Sequence, residues 1–116
     1  MASVLRKIAE HDGSVALSAL SLAELQRGLY KSPQNGALRQ ARLETILRSV
    51  AVLPFDAAAA EAYGQIIAQI GWAKGRHYDR LIGAHAIASR RILVTANIND
   101  FRDIPGLRLE DWTASI

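Results

Sequence analysis

Cysteine is absent from the 116 residues, and proline and methionine are scarce, at three and one. Without a thiol, the chain has no disulfide scaffold, thiolate zinc site, iron–sulfur cluster or cysteine nucleophile. Long hydrophobic runs are missing too: the most apolar stretch, residues 57–73, is interrupted by Glu61, Gln65 and Gln69, which excludes a membrane span. The first residues lack the apolar segment of a signal peptide, so we expect a cytoplasmic protein with no membrane partner.

The composition is that of an ordinary globular protein, with 50% hydrophobic and 22% charged residues. Its length predicts a single domain over residues 1–116. Fourteen basic and eleven acidic side chains leave a net charge of +3. Because the arginines are spread along the chain, this excess permits a nucleic-acid partner without requiring one.

Short apolar stretches alternate with stretches of helical periodicity. This alternation predicts an α/β fold, a three-layer α/β/α sandwich around a short parallel sheet. The predicted strands are residues 15–20, 50–55, 92–95 and 107–112, and the predicted helices are residues 4–10, 21–32, 37–49, 56–70 and 79–89. Asp56 is predicted to cap the helix at 56–70. The strand at 92–95 has the uniformly apolar character of a strand buried on both faces.

Polar residues that follow the predicted strands are the candidates for chemistry, because ligands of parallel sheets gather at the carboxyl ends of the strands. Glu24 follows the first of these strands, and Asp79 begins a helix after a loop. Asn97, Asn99 and Asp100 follow the strand at 92–95. Oxygen ligands without cysteine or a histidine pair suit Mg²⁺ or Mn²⁺. Such an ion orients a phosphodiester and activates water.

Each of these residues also has a structural interpretation. Ser21 and Glu24 have the spacing of a capping box at the start of a helix. Asp79 fits a helix N-terminus, where the helix dipole favours an acid. Asn97 and Asp100 are typical turn residues that bond their own backbone. Spacing alone leaves both interpretations open.

The basic residues have two interpretations as well. Arg27, Lys31, Arg76 and Arg80 could contact RNA phosphates. For any one of them, a solvated surface side chain is the simpler interpretation. His85 lies within an apolar helix, and we predict a histidine packed in the core instead of a metal ligand.

Four motifs in order along the chain, from about residue 14 to 112, resemble PIN-domain proteins of the VapC type. One short motif would be weak evidence, whereas four with the family's order and spacing are fairly specific. The matching segments are residues 18–28, 79–86, 92–97 and the stretch from Asp100 to Trp112.

The resemblance implies a Mg²⁺-dependent endoribonuclease, with Mn²⁺ as an alternative ion, that acts on RNA as the toxin of a toxin–antitoxin pair. Its partners would be a small antitoxin and a second copy in a homodimer. Glu24 matches the family's second acid, and Asp79 matches the third, which is a metal ligand. The fourth position falls on Asn97, and Asp100 is the nearby acid that could share its role. Thr95 matches the hydroxyl residue that closes the last core strand.

The sequence departs from the family pattern at its beginning. The family opens with an apolar strand that ends in an aspartate, and no such strand is found here. Neither Glu10 nor Asp12 follows a strand, so neither replaces that first acid. We therefore expect an N-terminally truncated member. A rival hypothesis is a catalytically inactive remnant that serves only as a protein- or RNA-binding module.

Overall fold

The computed structural model describes residues 15–31, 34, 36–95 and 97–111. The predicted helix at 4–10 and the end of the last predicted strand, at residue 112, lie outside these ranges. The chain divides into two compact units between Pro54 and Phe55. The single domain over residues 1–116 stays a prediction.

In the part of the first unit that the structure describes, there are two parallel strands and two helices. Its elements are β1 (Ala16–Ser18), α1 (Ala19–Lys31), α2 (Gly36–Ser49) and β2 (Ala51–Leu53). β1 and β2 pair in parallel, with Leu17 opposite Val52. Leu29 and Leu43 are the buried residues of the two helices. The parallel α/β class predicted from the sequence is confirmed, although both strands are shorter than expected.

The start of α1 differs from the predicted capping box. The helix begins at Ala19, and the Ser18 hydroxyl accepts a hydrogen bond from the Leu20 N–H at 3.1 Å. Ser18 therefore occupies the position of the N-cap, where a serine oxygen accepts from the second helical N–H. Ser21 already lies inside the helix, so its predicted capping box with Glu24 is wrong.

In its described part, the second unit contains two helices and a second parallel pair of strands. Its elements are α3 (Ala57–Ile70), α4 (His77–Ala88), β3 (Leu93–Val94), a 3₁₀ turn (Ile98–Asp100) and β4 (Leu109–Glu110). β3 and β4 are parallel, with Leu93 opposite Leu109. Asp56 caps α3 as predicted, since its carboxylate accepts from the Ala59 N–H at 2.9 Å.

α3 and α4 pack against each other and supply most of the apolar core of this unit. The buried apolar residues of the unit are Ala59, Ile66, Ile82, Ala84, Phe101 and Ile104. His85 is buried with them, and its ring meets that of Phe55 edge to face, with centroids 5.4 Å apart. The prediction of a core histidine is therefore confirmed.

The strand at β3 is less buried than its apolar sequence predicts. Ile92 is 41% exposed and Val94 is 39% exposed. In the described part of the chain β3 pairs only with β4, and a sheet of two short strands offers few neighbours to cover its faces. Among the helices that the structure describes, none combines the length and the apolar character needed to cross a membrane.

Gly83 of α4 approaches the segment after β3 so closely that a side chain would collide there. A Cβ at this position would lie 2.7 Å from Ile104 Cδ1 and 3.4 Å from Leu107 Cδ2. We expect Gly83→Ala to lower the free energy of unfolding by about 1–2 kcal/mol, because overpacking outweighs the gain in helix propensity. Ile104→Val alone, which removes the colliding methyl, should cost about 1 kcal/mol.

The double variant Gly83→Ala/Ile104→Val should cost less than the sum of the two single changes, because the new methyl occupies the vacated space. Urea unfolding of the four proteins measures this coupling, for which we expect at least about 0.5 kcal/mol. Strict additivity would show that the two side chains do not share this space.

Candidate active site

Asp79 is the third residue of α4 and lies partly buried in its first turn. Burial raises the pKa of its carboxyl group, the neighbouring Asp100 raises this pKa further, and Arg76 lowers it. If Asp79 interacted only with the dipole of α4, its surroundings would favour the ionised form of the carboxyl group. Here the surroundings oppose ionisation, first because burial removes water from the carboxylate and second because the Asp100 carboxylate repels it.

Arg76 joins the start of α4 to the 3₁₀ turn that carries Asp100. Its Nη1 donates a hydrogen bond to the Asp100 backbone carbonyl at 3.0 Å and lies 3.9 Å from the Asp100 carboxylate. Both side chains are about half exposed, so the ion pair adds little stability by itself. Its consequence is geometric, because it holds Asp100 on the same side of the unit as the start of α4.

The segment after β3 is held in a turn by its own polar groups. The Thr95 hydroxyl accepts from the Asn97 N–H at 3.0 Å, and the Asp100 N–H donates to the Asn97 carbonyl at 3.0 Å. Asn97 and Asp100 thus lie in a turn, as predicted, but among the described residues this turn is closed by backbone groups and the Thr95 hydroxyl. It uses neither of their side chains: Asn97 is exposed, and its side chain does not cap the 3₁₀ turn.

Arg80 was a candidate for contact with RNA phosphates, and its position argues against that contact. The residue is only 4% exposed. Its guanidinium donates to the Gly71 carbonyl through Nη1 and to Asp103 Oδ2 through Nη2, the latter at 3.1 Å. The two guanidinium nitrogens that could bind a phosphate, Nη1 and Nη2, therefore already donate hydrogen bonds to groups within the unit. Sequence reasoning missed Asp103, because a single acid in a loop offers no spacing signal.

Glu24, Arg27 and Lys31 lie on α1 of the first unit, and all three are exposed. Their spacing of three and four residues places them along one stripe of the helix. Because the capping box is not formed, a role in capping α1 does not explain the presence of a glutamate at position 24. This stripe presents one carboxylate and two cations to the solvent.

The donor set of the second unit fits a small hard cation in part. Asp79 and Asp100 supply carboxylates, and Asn97 supplies an amide oxygen on the same turn as Asp100. Among the residues that the structure describes, no three histidine, aspartate or glutamate side chains gather closely enough to hold a metal. Mg²⁺ keeps several of its waters and binds through one or two carboxylates, so this pair suffices for it chemically. A divalent cation would also relieve the repulsion between the two carboxylates.

Comparison with known proteins relates the whole chain to one family. The family model for the PIN domain matches residues 1–107. Ribonuclease VapC2 of Rickettsia felis is 38% identical over 104 residues, which cover 87% of this chain and 76% of the relative. The tRNA(fMet)-specific endonuclease VapC of Shigella flexneri is 36% identical over 115 residues, which cover 97% of this chain and 86% of the relative.

A solved structure gives the same relationship. In the crystal structure of DNA-bound VapBC from Salmonella typhimurium, a chain with 30% sequence identity matches with a TM-score of 0.80, over 95% of this chain and 84% of its own length. Fold and sequence therefore agree on the predicted family. The chain belongs to the PIN-domain family and, within it, is similar over most of its length to the VapC ribonucleases.

Proposed function

We propose that this protein is a metal-dependent endoribonuclease that hydrolyses RNA phosphodiester bonds. Mg²⁺ is the ion that we infer, with Mn²⁺ as a substitute. The observation that carries the proposal is geometric: the partly buried Asp79 lies in the first turn of α4, and Arg76 at the start of that helix bonds to Asp100. Burial and Asp100 also raise the pKa of the Asp79 carboxyl group. A carboxyl group whose surroundings disfavour its ionised form, next to a second acid, is typical of a functional site.

The residues of the second unit would divide the work between them. Asp79 and Asp100 would hold the cation, with the Asn97 amide as a further oxygen ligand, and the Thr95 hydroxyl would keep Asn97 in its turn. The half-exposed Arg76 guanidinium would meet the phosphate charge beside them. When bound, the ion would supply a water of lowered pKa and would neutralise charge on the phosphate.

Glu24 enters this proposal through the sequence pattern, in which it matches the second acid of the family. Its exposure on α1 supports the assignment, as does the absence of the predicted capping box. Arg27 and Lys31 lie along the same stripe of α1 and would attract the RNA backbone.

We also propose a protein partner, a small cognate antitoxin, and a homodimer in the cytoplasm as the form that it inhibits. The related chain from Salmonella typhimurium was solved as VapBC. In the first unit Leu25, Tyr30 and Leu38 are large exposed apolar side chains on α1 and α2. Exposed apolar side chains of this kind are typical of protein interaction surfaces.

The test is cleavage of RNA by the purified protein with Mg²⁺, with Mn²⁺ and with a chelator. Because the Shigella flexneri relative is named for tRNA(fMet), this RNA is the first substrate to use. We expect Glu24→Gln to lower the cleavage rate by about a hundredfold, as for loss of a group that stabilises charge at the reacting phosphate. Glu44→Gln is the matched control, since Glu44 is also an exposed glutamate on a helix of the same unit.

Glu44 has a structural partner in Gln40, whose side-chain amide donates to it at 3.1 Å, so its replacement should leave the rate unchanged. Equal rates for the two variants would show that Glu24 does not contribute to cleavage. Absence of cleavage of any RNA with either ion would favour the rival hypothesis, an inactive protein-binding or RNA-binding module.

A further inference from the structure

We propose that Arg80 and Asp103 form a positioning pair that sets the arrangement of Asp79 and Asp100 for a divalent cation. The inference rests on the proposed function, but it concerns residues outside the candidate ligand set. Arg76, the N-cap residue of α4, and Arg80 lie one turn apart, and Asp100 and Asp103 lie three residues apart after β3. Arg76 bonds to Asp100 and Arg80 bonds to Asp103, so two bridges connect the same two segments.

Of the two bridges, that of Arg80 is the better shielded from water. The Arg80 side chain is 5% exposed, whereas that of Arg76 is 41% exposed. An ion pair at the surface is weakened by water and salt, and a shielded one much less. The Arg80 guanidinium also holds the Gly71 carbonyl, which follows the last residue of α3. A single side chain therefore ties the start of α4 to the end of α3 and to the segment after the 3₁₀ turn.

A contribution to stability alone does not explain well why an arginine is buried at position 80. Burying a guanidinium removes its hydration, which disfavours folding, and apolar residues of similar volume often stabilise a protein equally well. Its Nε is buried without a hydrogen-bond partner among the described residues, which adds to the cost. What the guanidinium does provide is a pair of directional hydrogen bonds, because its planar group fixes both acceptors in one geometry.

This geometry reaches the candidate ligands through short, stiff connections. Asp79 precedes Arg80 on the same helix, and Asp100 lies three residues before Asp103. A displacement of the Asp103 segment relative to α4 would therefore change the separation of the Asp79 and Asp100 carboxylates. Cation sites tolerate little of such change, because their ligands must be held to within about 0.5 Å.

The test compares metal affinity in four variants of the full chain: Asp103→Asn, Arg80→Met, Arg80→Lys and the control Arg102→Gln. Calorimetry with Mg²⁺ and Mn²⁺ gives the affinity, and circular dichroism reports the fold. Groups that orient metal ligands typically contribute about 10–100-fold in affinity, and we expect losses of this size in Asp103→Asn and Arg80→Met. Arg80→Lys should recover part of the loss, because an ammonium group can still reach one acceptor.

Arg102→Gln removes an exposed arginine next to Asp103 and should bind the ions as the unaltered protein does. Asp103→Asn is the decisive variant, because the Asp103 side chain is about half exposed and its replacement should not prevent folding. A folded Asp103→Asn protein with unchanged affinity would overturn the proposal.

A second measurement separates this proposal from the proposed function. In amide NMR spectra without metal, Asp103→Asn should shift the signals of Asp79 and Asp100, and Arg102→Gln should not. If the unaltered protein binds no cation but these shifts occur, the metal function fails and the positioning pair stands. If the two amide signals do not move, the positioning pair fails whatever the metal result.

Discussion

Replacement of Asp79 by asparagine is expected to abolish RNA cleavage and to raise the melting temperature at pH 7. The first effect follows from loss of the carboxylate that we place on the cation, and should exceed about a hundredfold. The second follows from the raised pKa of this carboxyl group in the folded chain. Burial and Asp100 disfavour ionisation of this carboxyl group in the folded protein, and asparagine removes that unfavourable contribution.

The pH dependence has a definite sign. A carboxyl group whose pKa is higher in the folded than in the unfolded state stabilises the fold at low pH. This contribution is complete below the ordinary value of 3.8 and is lost as the pH rises through the raised value. The stability gain of Asp79→Asn should therefore shrink as the pH falls towards 4, since both side chains are then neutral.

Thermal unfolding from pH 4 to pH 8 checks this prediction, with Asp56→Asn as the control. Asp56 caps α3, and asparagine caps helices as well as aspartate does, so this variant should change little. Saturating Mg²⁺ should stabilise the unaltered protein, by about 2.7 kcal/mol at a hundred times its dissociation constant, but not Asp79→Asn. A lower melting temperature for Asp79→Asn would identify Asp79 as an ordinary acid favoured by the helix dipole.

Replacement of Ile104 by alanine is expected to cost about 2–5 kcal/mol of unfolding free energy, the range for truncation of a large side chain in a core. Ile104 is only 4% exposed, and its Cδ1 fills the space that Gly83 leaves open on α4. The truncation would leave a cavity beside the segment that carries Asp100 and Asp103. For a small domain, a loss of this size is a large share of the total stability.

Urea unfolding measures this loss, and Ile92→Ala is its matched control. Ile92 has the same side chain but is 41% exposed, so its truncation should cost less than about 1 kcal/mol. Similar losses at the two positions would mean that the Gly83 contact does not contribute to the core. Ile104→Ala should also weaken cation binding, if the segment after β3 loses its support.

The sequence was most informative where a rule depends on neighbouring residues alone. Asp56 was predicted as a helix cap and is one, because its carboxylate needs only the N–H groups of the next turn. The Ser21 capping box obeyed a rule of the same kind and was wrong. Ser18 ends the parallel pairing of β1 with β2, opposite Leu53, so the helix begins directly after it. Both serines are suitable helix caps by their local sequence. The pairing with β2, which is distant in the sequence, determined which of them caps α1.

The candidate site divides in the same way. Asn97 and Asp100 were found because they follow a predicted parallel strand, where ligands gather, and Asp79 because it begins a helix after a loop. The difference between Arg76 and Arg80 could not be found by such reasoning. Both arginines are close to Asp79 in the sequence, yet Arg76 is half exposed, whereas Arg80 is buried against Gly71 and Asp103. Which of them meets solvent depends on where the end of α3 and the segment after β3 fold back onto α4.

Helical periodicity and apolar strands were enough to predict the α/β class and the acids to examine, and the resemblance of the ordered motifs indicated the family. These properties follow from backbone geometry and from contacts over a few residues, which the linear sequence records directly. The start of α1, the exposure of β3 and the burial of Arg80 were decided by tertiary structure. Each depends on which distant groups cover a side chain or complete its hydrogen bonds, and that information arises only when the chain packs.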